Sequence, residues 1–348
     1  PVRNILTLKP LLHIDLDVLT PGLYLEGYAA LDMMFSNTKS MGQPFDLYQY
    51  DRAANEYVNR HDDTGVIWVD NSSSNSRTVT LNGRIGYRRT FGEDHHVDAF
   101  AAYEQMKYDF SYLSASRTNY LSSAIPELFA GSAKPEDKDN TGYSTAEARV
   151  NFFGRMNYSL LDRYLLTFTL RYDGSSRFSK DNRWGVFPAA AFAWKINEEK
   201  FLKNATWMSD LKLRLGWGKT GQQEGIDDYG YLVYYYPNKV GAFYPILGDG
   251  TTYRPEAYNT GLTWEKTTTW NGGIDFGILN QRFTASIDVY YRKTTDLINK
   301  ITLPVGTQFS NRLNSNIGEL HNFGIEGAIG GNIIQTKDFT WNLGYNVT

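Results

Sequence analysis

The sequence predicts an all-β fold, an antiparallel transmembrane β-barrel, with about twelve strands belonging to a larger barrel. Three observations carry this expectation. Residues 164–196 read YLLTFTLRYDGSSRFSKDNRWGVFPAAAFAWKI, two alternating runs around a polar, charged tip. Short and long polar connections alternate along the chain, as in outer-membrane barrels with short periplasmic turns and long extracellular loops. No stretch is apolar over the ~18–20 residues that a membrane-spanning helix needs.

In the first run Tyr164, Leu166, Phe168, Leu170 and Tyr172 share one face, and Thr167, Thr169, Arg171 and Asp173 the other, because alternate side chains of a strand point to opposite sides. In the second, Val186, Pro188, Ala190, Phe192, Trp194 and Ile196 alternate with Phe187, Ala189, Ala191, Ala193 and Lys195. Each run has roughly ten residues, enough for a tilted strand to cross a bilayer, whereas a soluble hairpin needs only about five or six per strand. Aromatic residues at the ends of the apolar face suit a membrane interface.

The remaining strands repeat this device. Leu12, Ile14, Leu16 and Val18 alternate with His13, Asp15 and Asp17 before the turn Thr20-Pro21-Gly22. The return strand, 23–35, carries Leu23, Leu25, Gly27, Ala29, Leu31 and Met33 on one face, and a polar segment follows over 36–76. Val79, Leu81, Gly83, Ile85 and Tyr87 oppose Thr80, Asn82 and Arg84; the turn FGEDHH leads to a strand over 97–108 whose facing is open. A second polar segment spans about 111–145. Val150, Phe152, Gly154, Met156 and Tyr158 then precede the turn Leu161-Asp162-Arg163.

After the central hairpin comes the link NEEKFLKNATWMSD, and then Leu211, Leu213, Leu215 and Trp217 oppose Lys212, Arg214 and Gly216. The longest polar segment runs over 219–262. Trp270, Gly272, Ile274, Phe276 and Ile278 lead through Leu279-Asn280-Gln281 to Phe283, Ala285, Ile287, Val289 and Tyr291. Runs over 325–334 and 339–347 make the last pair.

The 348 residues carry a net charge of −3, 25 Tyr, 19 Phe, 8 Trp, 31 Gly and no Cys. The aromatic and glycine content fits many strands with aromatic ends. A negative mean hydropathy is compatible with a barrel, whose strands turn half their side chains to a wet lumen. The lack of cysteine excludes disulfides and thiolate metal sites, and the near-neutral charge offers no case for nucleic acid. Residues 1–348 read as one fragment of a barrel domain with no internal boundary. No apolar signal segment opens the chain, and it stops inside the alternating run FTWNLGYNVT, so a longer parent protein is expected.

No catalytic constellation stands out. Gly218-Lys219-Thr220 lacks the earlier glycine of a phosphate loop, that position being Leu213. Asp137-Lys138-Asp139-Asn140-Thr141-Gly142 begins like a calcium loop, but Thr141 and Ala148 occupy ligand positions, so a solvated turn is the better reading and no metal site is assigned. His95 and His96 are adjacent and point apart on a strand, and Asp173-Gly174-Ser175-Ser176 lacks nucleophile-elbow spacing. The candidates that remain are binding residues. Tyr229, Tyr231, Tyr234, Tyr235, Tyr236, Tyr244, Tyr253 and Tyr258 crowd one long segment, where aromatic faces can stack on sugars or peptide side chains or pack the loop itself. Arg171, Asp173, Lys212, Arg214, Asp275, Asp288 and Arg292 fall on the polar faces that a barrel turns to its lumen.

Several stretches resemble one family. They are LRYDGSSRF (170–178), RWGVFPAAAFAWKI (183–196), LKLRLGWGKTGQQ (211–223), LTWEKTTTWNGGIDFGILNQRFTASIDVYYRKTTDLI (262–298) and NIGELHNFGIEGAI (316–329). Together they resemble the SusC/RagA-type TonB-dependent outer-membrane transporters of Bacteroidetes; residues 1–150 carry only the generic strand pattern. The resemblance implies a barrel of roughly 22 strands closed by an N-terminal plug, of which this chain is a central slice without plug or final strands. It implies active import of large nutrients, glycans first and peptides second, in the outer membrane of a Gram-negative bacterium. It also implies a SusD-like lipoprotein lid, contact with membrane lipid, and energy from TonB with ExbB and ExbD acting through the missing N-terminal region. No cofactor and no enzymatic activity are expected. The rival readings are a passive porin or adhesin barrel, which has no plug, and a soluble β-rich polysaccharide-binding module, which needs no lipid.

Overall fold

The structure, a computed structural model, describes residues 2–62, 65–233, 235–237, 253–255, 257–307 and 312–348. In chain order its strands are β1 (Val2–Leu8), β2 (Leu11–Asp15), β3 (Leu23–Gly42), β4 (Asp46–Asp51), β5 (Glu56–Asp62), β6 (Trp68–Phe91), β7 (His95–Arg117), β8 (Lys138–Leu160), β9 (Tyr164–Ser175) and β10 (Trp184–Lys195). They continue as β11 (Met208–Gln222), β12 (Tyr235–Pro237), β13 (Tyr253–Pro255), β14 (Glu265–Ile278), β15 (Phe283–Thr295), β16 (Ile298–Thr302), β17 (Arg312–Asn316), β18 (Glu319–Gln335) and β19 (Thr340–Val347). Among the described residues the helical content is three 3-10 turns, Leu128–Ala130, Pro135–Asp137 and Ile196–Glu198.

The main sheet has the order β1-β3-β6-β7-β8-β9-β10-β11-β14-β15-β18-β19, with β2 also beside β3; β4–β5, β12–β13 and β16–β17 are separate ribbons. β1 and β2 both lie beside β3, and from β3 onward each strand of this sheet lies beside the next sheet strand in chain order. This is a meander, the order of an up-and-down barrel, and not the crossed order of a Greek-key sandwich. The sheet is not closed on itself: its order ends at β1 and β19.

The chain divides into two compact units. The first comprises Pro1–Pro10, Ala29–Thr80 and Met106–Glu147. Here β1 pairs with the later part of β3, from Leu8 opposite Leu31 to Val2 opposite Asn37. Much of the expected polar segment over 36–76 is strand: β3 runs on to Gly42, β4 and β5 form a ribbon, and β6 starts at Trp68. Likewise β7 reaches Arg117 and β8 starts at Lys138, which shortens the expected segment over 111–145. The reason is physical. The strands β6, β7 and β8 have 24, 23 and 23 residues, while a crossing needs about 9–11. A strand that continues into water has no lipid face, so its sequence (NSSSNSRTVT in β6) loses the apolar alternation while keeping the hydrogen-bonded ladder. Buried Val69 and the bond from Ser114 Oγ to Asp70 Oδ2 (2.6 Å) fix this part internally.

The second unit comprises Leu11–Tyr28, Leu81–Gln105 and Ala148–Thr348, and its register shows the two-faced pattern. Phe168, Ala190, Trp217, Trp270, Tyr291 and Phe323 are successive cross-strand partners in one row over six strands. Rows nearer the short turns hold Leu213, Ile274 and Ile287. Most large apolar residues of this face are exposed, Ile274 at 49% and Ile287 at 60%, which in water would be an aggregation surface and in a bilayer is the lipid face. The strand β7, whose facing the sequence left open, turns Tyr103 to this exposed face, where its ring lies 5.2 Å from Phe152. Glu104 takes the other side. Phe100 and Ala102 share that polar side, which is why its pattern is blurred.

Two local expectations change. The strand expected over Leu12–Val18 ends at Asp15; Leu16 and Val18 lie in a turn where Asp17 Oδ1 accepts from Gly22 N at 2.7 Å. Gly22 has φ +86°, and a side chain there would run into the Arg88 carbonyl. The strict short–long alternation also fails at one place: the tip between β9 and β10 (176–183) is shorter than the opposite-end link 196–207.

Candidate functional site

The polar face of β11, β14 and β15 is organised around one guanidinium. Arg214 Nε and Nη2 donate to Asp275 Oδ2 and Oδ1 at 2.8 and 2.7 Å, and Nη1 and Nη2 donate to Asp288 Oδ1 and Oδ2, both at 2.9 Å. Both carboxylates are thus bound in the fork geometry that gives arginine its strongest ion pairs. Lys212 Nζ adds a longer contact to Asp275, 3.9 Å. Between them stands Gly273, directly opposite Arg214 on β11 and Asp288 on β15. Its missing side chain leaves room for the guanidinium to pass over β14.

On β9, Arg171 and Asp173 pair through two bonds of 3.0 Å, as residues two apart on one face can. The Arg171 guanidinium also lies 4.8 Å from the centre of the Phe153 ring across the ladder. Arg292 is the exception: it is exposed and shows no ion pair among the described residues. Of the seven charged candidates, the structure therefore gathers Arg214, Asp275, Asp288 and Lys212 into one network, pairs Arg171 with Asp173, and leaves Arg292 apart.

A second feature was not expected from the sequence. Phe178 at the β9–β10 tip, Phe187, Ile226, Leu262 and Trp264 form a buried core, with Ile298 packed against it. Phe178 and Leu262 are 0% and 1% exposed. The Phe178 and Phe187 rings lie 5.0 and 5.5 Å from Trp264, whose indole N–H donates to the Arg183 carbonyl at 3.0 Å. Ser179 Oγ and Asn182 Nδ2 both donate to the Thr260 carbonyl (2.8 and 3.0 Å), and Arg177 Nε donates to Asp228 Oδ1 (3.2 Å). Asn316 Nδ2 donates to the carbonyls of Thr263 and Asp296, each at 2.8 Å, and its Oδ1 accepts from Thr263 N at 2.8 Å. The connections 176–183, 223–264 and 296–318 are thereby tied into one cap at the long-loop end. The signal lay in the DGSSRF stretch, whose phenylalanine sits at a polar tip with no strand face to serve.

Of the tyrosine candidates, Tyr229, Tyr231 and Tyr258 are half-buried, and Tyr229 has φ +60°. Tyr234 and Tyr244 lie outside the described residues. For Tyr235, Tyr236 and Tyr253 only the backbone is described: they belong to the ribbon β12–β13, with Tyr236 opposite Arg254, in place of the loop expected there.

The sequence also missed a polar cluster beneath β3, β6, β7 and β8. Glu104 accepts from Tyr28 OH and Asn82 Nδ2, both at 3.1 Å, and from Asn151 Nδ2 at 3.3 Å. In the segment whose sequence begins like a calcium loop, the Asp137 carboxylate accepts from Asn119 Nδ2 at 2.6 Å and Thr118 Oγ1 at 3.3 Å. Hydrogen bonds from Ser132, Asn119 and Thr118 hold its carboxyl below the usual carboxylate range. No group of three metal-ligating side chains occurs among the described residues.

The family model described as "TonB dependent receptor-like, beta-barrel" matches residues 22–348. The TonB-dependent receptor SusC of Bacteroides thetaiotaomicron is 58% identical over 213 residues, 61% of this chain and 21% of that protein. A TonB-dependent receptor of Formosa agariphila is 30% identical over 305 residues, covering 84% of this chain and 28% of its own length. Among solved structures, the RagAB peptide transporter superposes with a TM-score of 0.81 at 24% identity, covering 99% of this chain and 37% of that one. The chain thus spans between a fifth and two fifths of the relatives it matches.

Proposed function

Because the chain belongs to the TonB-dependent receptor β-barrel family, we propose that it forms part of the wall of an outer-membrane importer of large nutrients, glycans first and peptides second. The chain is an outer-membrane β-barrel segment of SusC/RagA type, and its relatives are receptors. The exposed apolar face meets lipid, and the opposite, ion-paired face lines the lumen. The observation that carries the glycan reading is the neutral character of that polar face. Lys212 and Arg214 are balanced by Asp275 and Asp288, and Arg171 by Asp173, which leaves Arg292 as the one unbalanced charge of the seven, so the wall offers hydrogen-bonding groups with little net field, which suits an uncharged, hydroxyl-rich cargo. Tyr229, Tyr231 and Tyr258, half-buried in the capping loop, supply ring faces for sugars near the mouth.

The parent importer takes its energy from TonB with ExbB and ExbD and works beneath a SusD-like lipoprotein lid, as its relationship to SusC supports. The test is calorimetric titration of the full-length parent protein in detergent with neutral oligosaccharides and with mass-matched oligopeptides. Saturable binding of an oligosaccharide, weakened in Tyr229→Ala/Tyr231→Ala, is expected. Binding of peptides alone overturns the glycan reading in favour of the peptide one. Binding of neither, together with steady ionic conductance of the parent in a planar bilayer, overturns import in favour of a passive pore.

A further inference from the structure

The lipid face is not uniformly filled. Between β14, β15, β18 and β19, at the short-turn end, lies an apolar groove of about 310 Å³. Its shape follows from one row of the register, in which Phe276, Ala285, Ile329 and Tyr345 are successive cross-strand partners. Ala285 is the small residue in that row and forms the floor, while its neighbours and Leu343 stand up as walls. Ile329, Leu343 and Tyr345 are exposed.

The groove's end is basic. Arg282, in the turn before β15, donates from Nε to the Asn332 carbonyl at 2.9 Å and from Nη2 to the Ile333 carbonyl at 3.0 Å. Its Cζ lies 5.6 Å from the centre of the Phe283 ring, which also lines the groove. Two bonds and a ring fix the guanidinium, and its Nη1 has no partner among the described residues. A held guanidinium with a free donor beside an apolar slot matches one chemistry: an anionic head on an alkyl chain. The groove opens on the lipid face of an outer-membrane barrel, so the occupant comes from the bilayer. Short turns mark the periplasmic side.

We propose that this groove binds an anionic glycerophospholipid of the periplasmic leaflet, one acyl chain lying over Ala285 and the phosphate receiving a hydrogen bond from Arg282. The site anchors the wall at the depth where the short turns meet the headgroups. It depends only on the outer-membrane location and not on the identity of the cargo.

The test is native mass spectrometry of the full-length parent protein, delipidated in mild detergent and offered dioleoyl phosphatidylglycerol, dioleoyl phosphatidylcholine or glycerol 3-phosphate separately. Retention of phosphatidylglycerol about fivefold above phosphatidylcholine is expected, the weight of one arginine against an anionic headgroup. Arg282→Gln removes that preference, and Ala285→Phe, which fills the floor, lowers retention of both lipids. Heat-modifiable migration on gels confirms that each variant is folded; if Ala285→Phe fails this check, Ala285→Val replaces it. Equal retention of the two lipids by the unsubstituted protein overturns the headgroup assignment, and retention of glycerol 3-phosphate alone points to a soluble-anion site. Unchanged retention in a folded Ala285 variant overturns the acyl-chain position.

Discussion

Gly273 sits directly across the ladder from Arg214, and a Cβ there would stand 2.9 Å from Arg214 Nη2 and closer still to Asp288 Oδ1. The glycine is therefore part of the ion-pair network although it carries no charge. Gly273→Ala pushes the guanidinium off one aspartate and is expected to cost about 1–3 kcal/mol. The neighbouring Gly272 faces the other side, where an added Cβ meets Leu215 at an ordinary 3.7 Å, so Gly272→Ala is expected to be tolerated. Urea unfolding of the parent barrel reconstituted in lipid, followed by tryptophan fluorescence, separates the two. Equal midpoints for both variants would show that the network does not depend on Gly273.

Ile287 and Ser286 test which face meets lipid. Ile287 is 60% exposed in the middle of β15, and Ser286 lies opposite Asp275 on the polar side. Ile287→Lys places an ammonium among acyl chains and is expected to destabilise the barrel by about 2–4 kcal/mol at the midplane. Ser286→Lys places the same charge beside a carboxylate and is expected to change little. Folding yield into lipid vesicles reads both, and an inverted order would reverse the assigned faces.

How much of this was legible in the sequence follows from what each residue touches. Leu166, Phe168, Ile274 and Ile287 alternate because one side of their strands is lipid, and that constraint leaves a mark at every second position. The outer stretches of β6, β7 and β8 see water on both sides, so their strand character left no periodic mark and they read as loop. The charged candidates were visible as types on a face, but the fork from Arg214 to Asp275 and Asp288 depends on the register of three strands and on Gly273. The cap is the clearest omission. Phe178, Ile226 and Leu262 come from connections far apart in sequence, and their periodicity cannot show that they converge.

That convergence has a consequence for the loop. Phe178→Ala removes a fully buried ring from the cap and is expected to cost about 3–5 kcal/mol locally. The barrel ladder does not contain Phe178, which lies beyond the end of β9, so the loss should stay in the connections. Limited proteolysis of the parent protein is expected to cut faster between residues 223 and 264 while heat-modifiable migration of the barrel is retained. Wild-type cleavage rates would show that the cap is not what holds that loop.

At the opposite end, Glu199 gives a pH signature. It follows the turn Ile196–Glu198 and accepts from Tyr164 OH and, at 3.0 Å, from Trp194 Nε1. The tyrosine hydroxyl first, then the indole N–H, hold its carboxyl below its ordinary value of 4.5. A carboxyl whose folded pKa is depressed stabilises the fold above its unfolded pKa, and that contribution fades as pH falls through the folded value. Glu199→Gln keeps the shape and removes the charge. The thermal midpoint of the parent protein is therefore expected to exceed that of Glu199→Gln at neutral pH, with the gap narrowing below about pH 4.5 as the carboxyl takes up its proton. A gap that stays constant from pH 7 to pH 3 would show that the charge on Glu199 contributes nothing to the stability of the fold, because a contribution from the ionised carboxyl must fade as it takes up its proton.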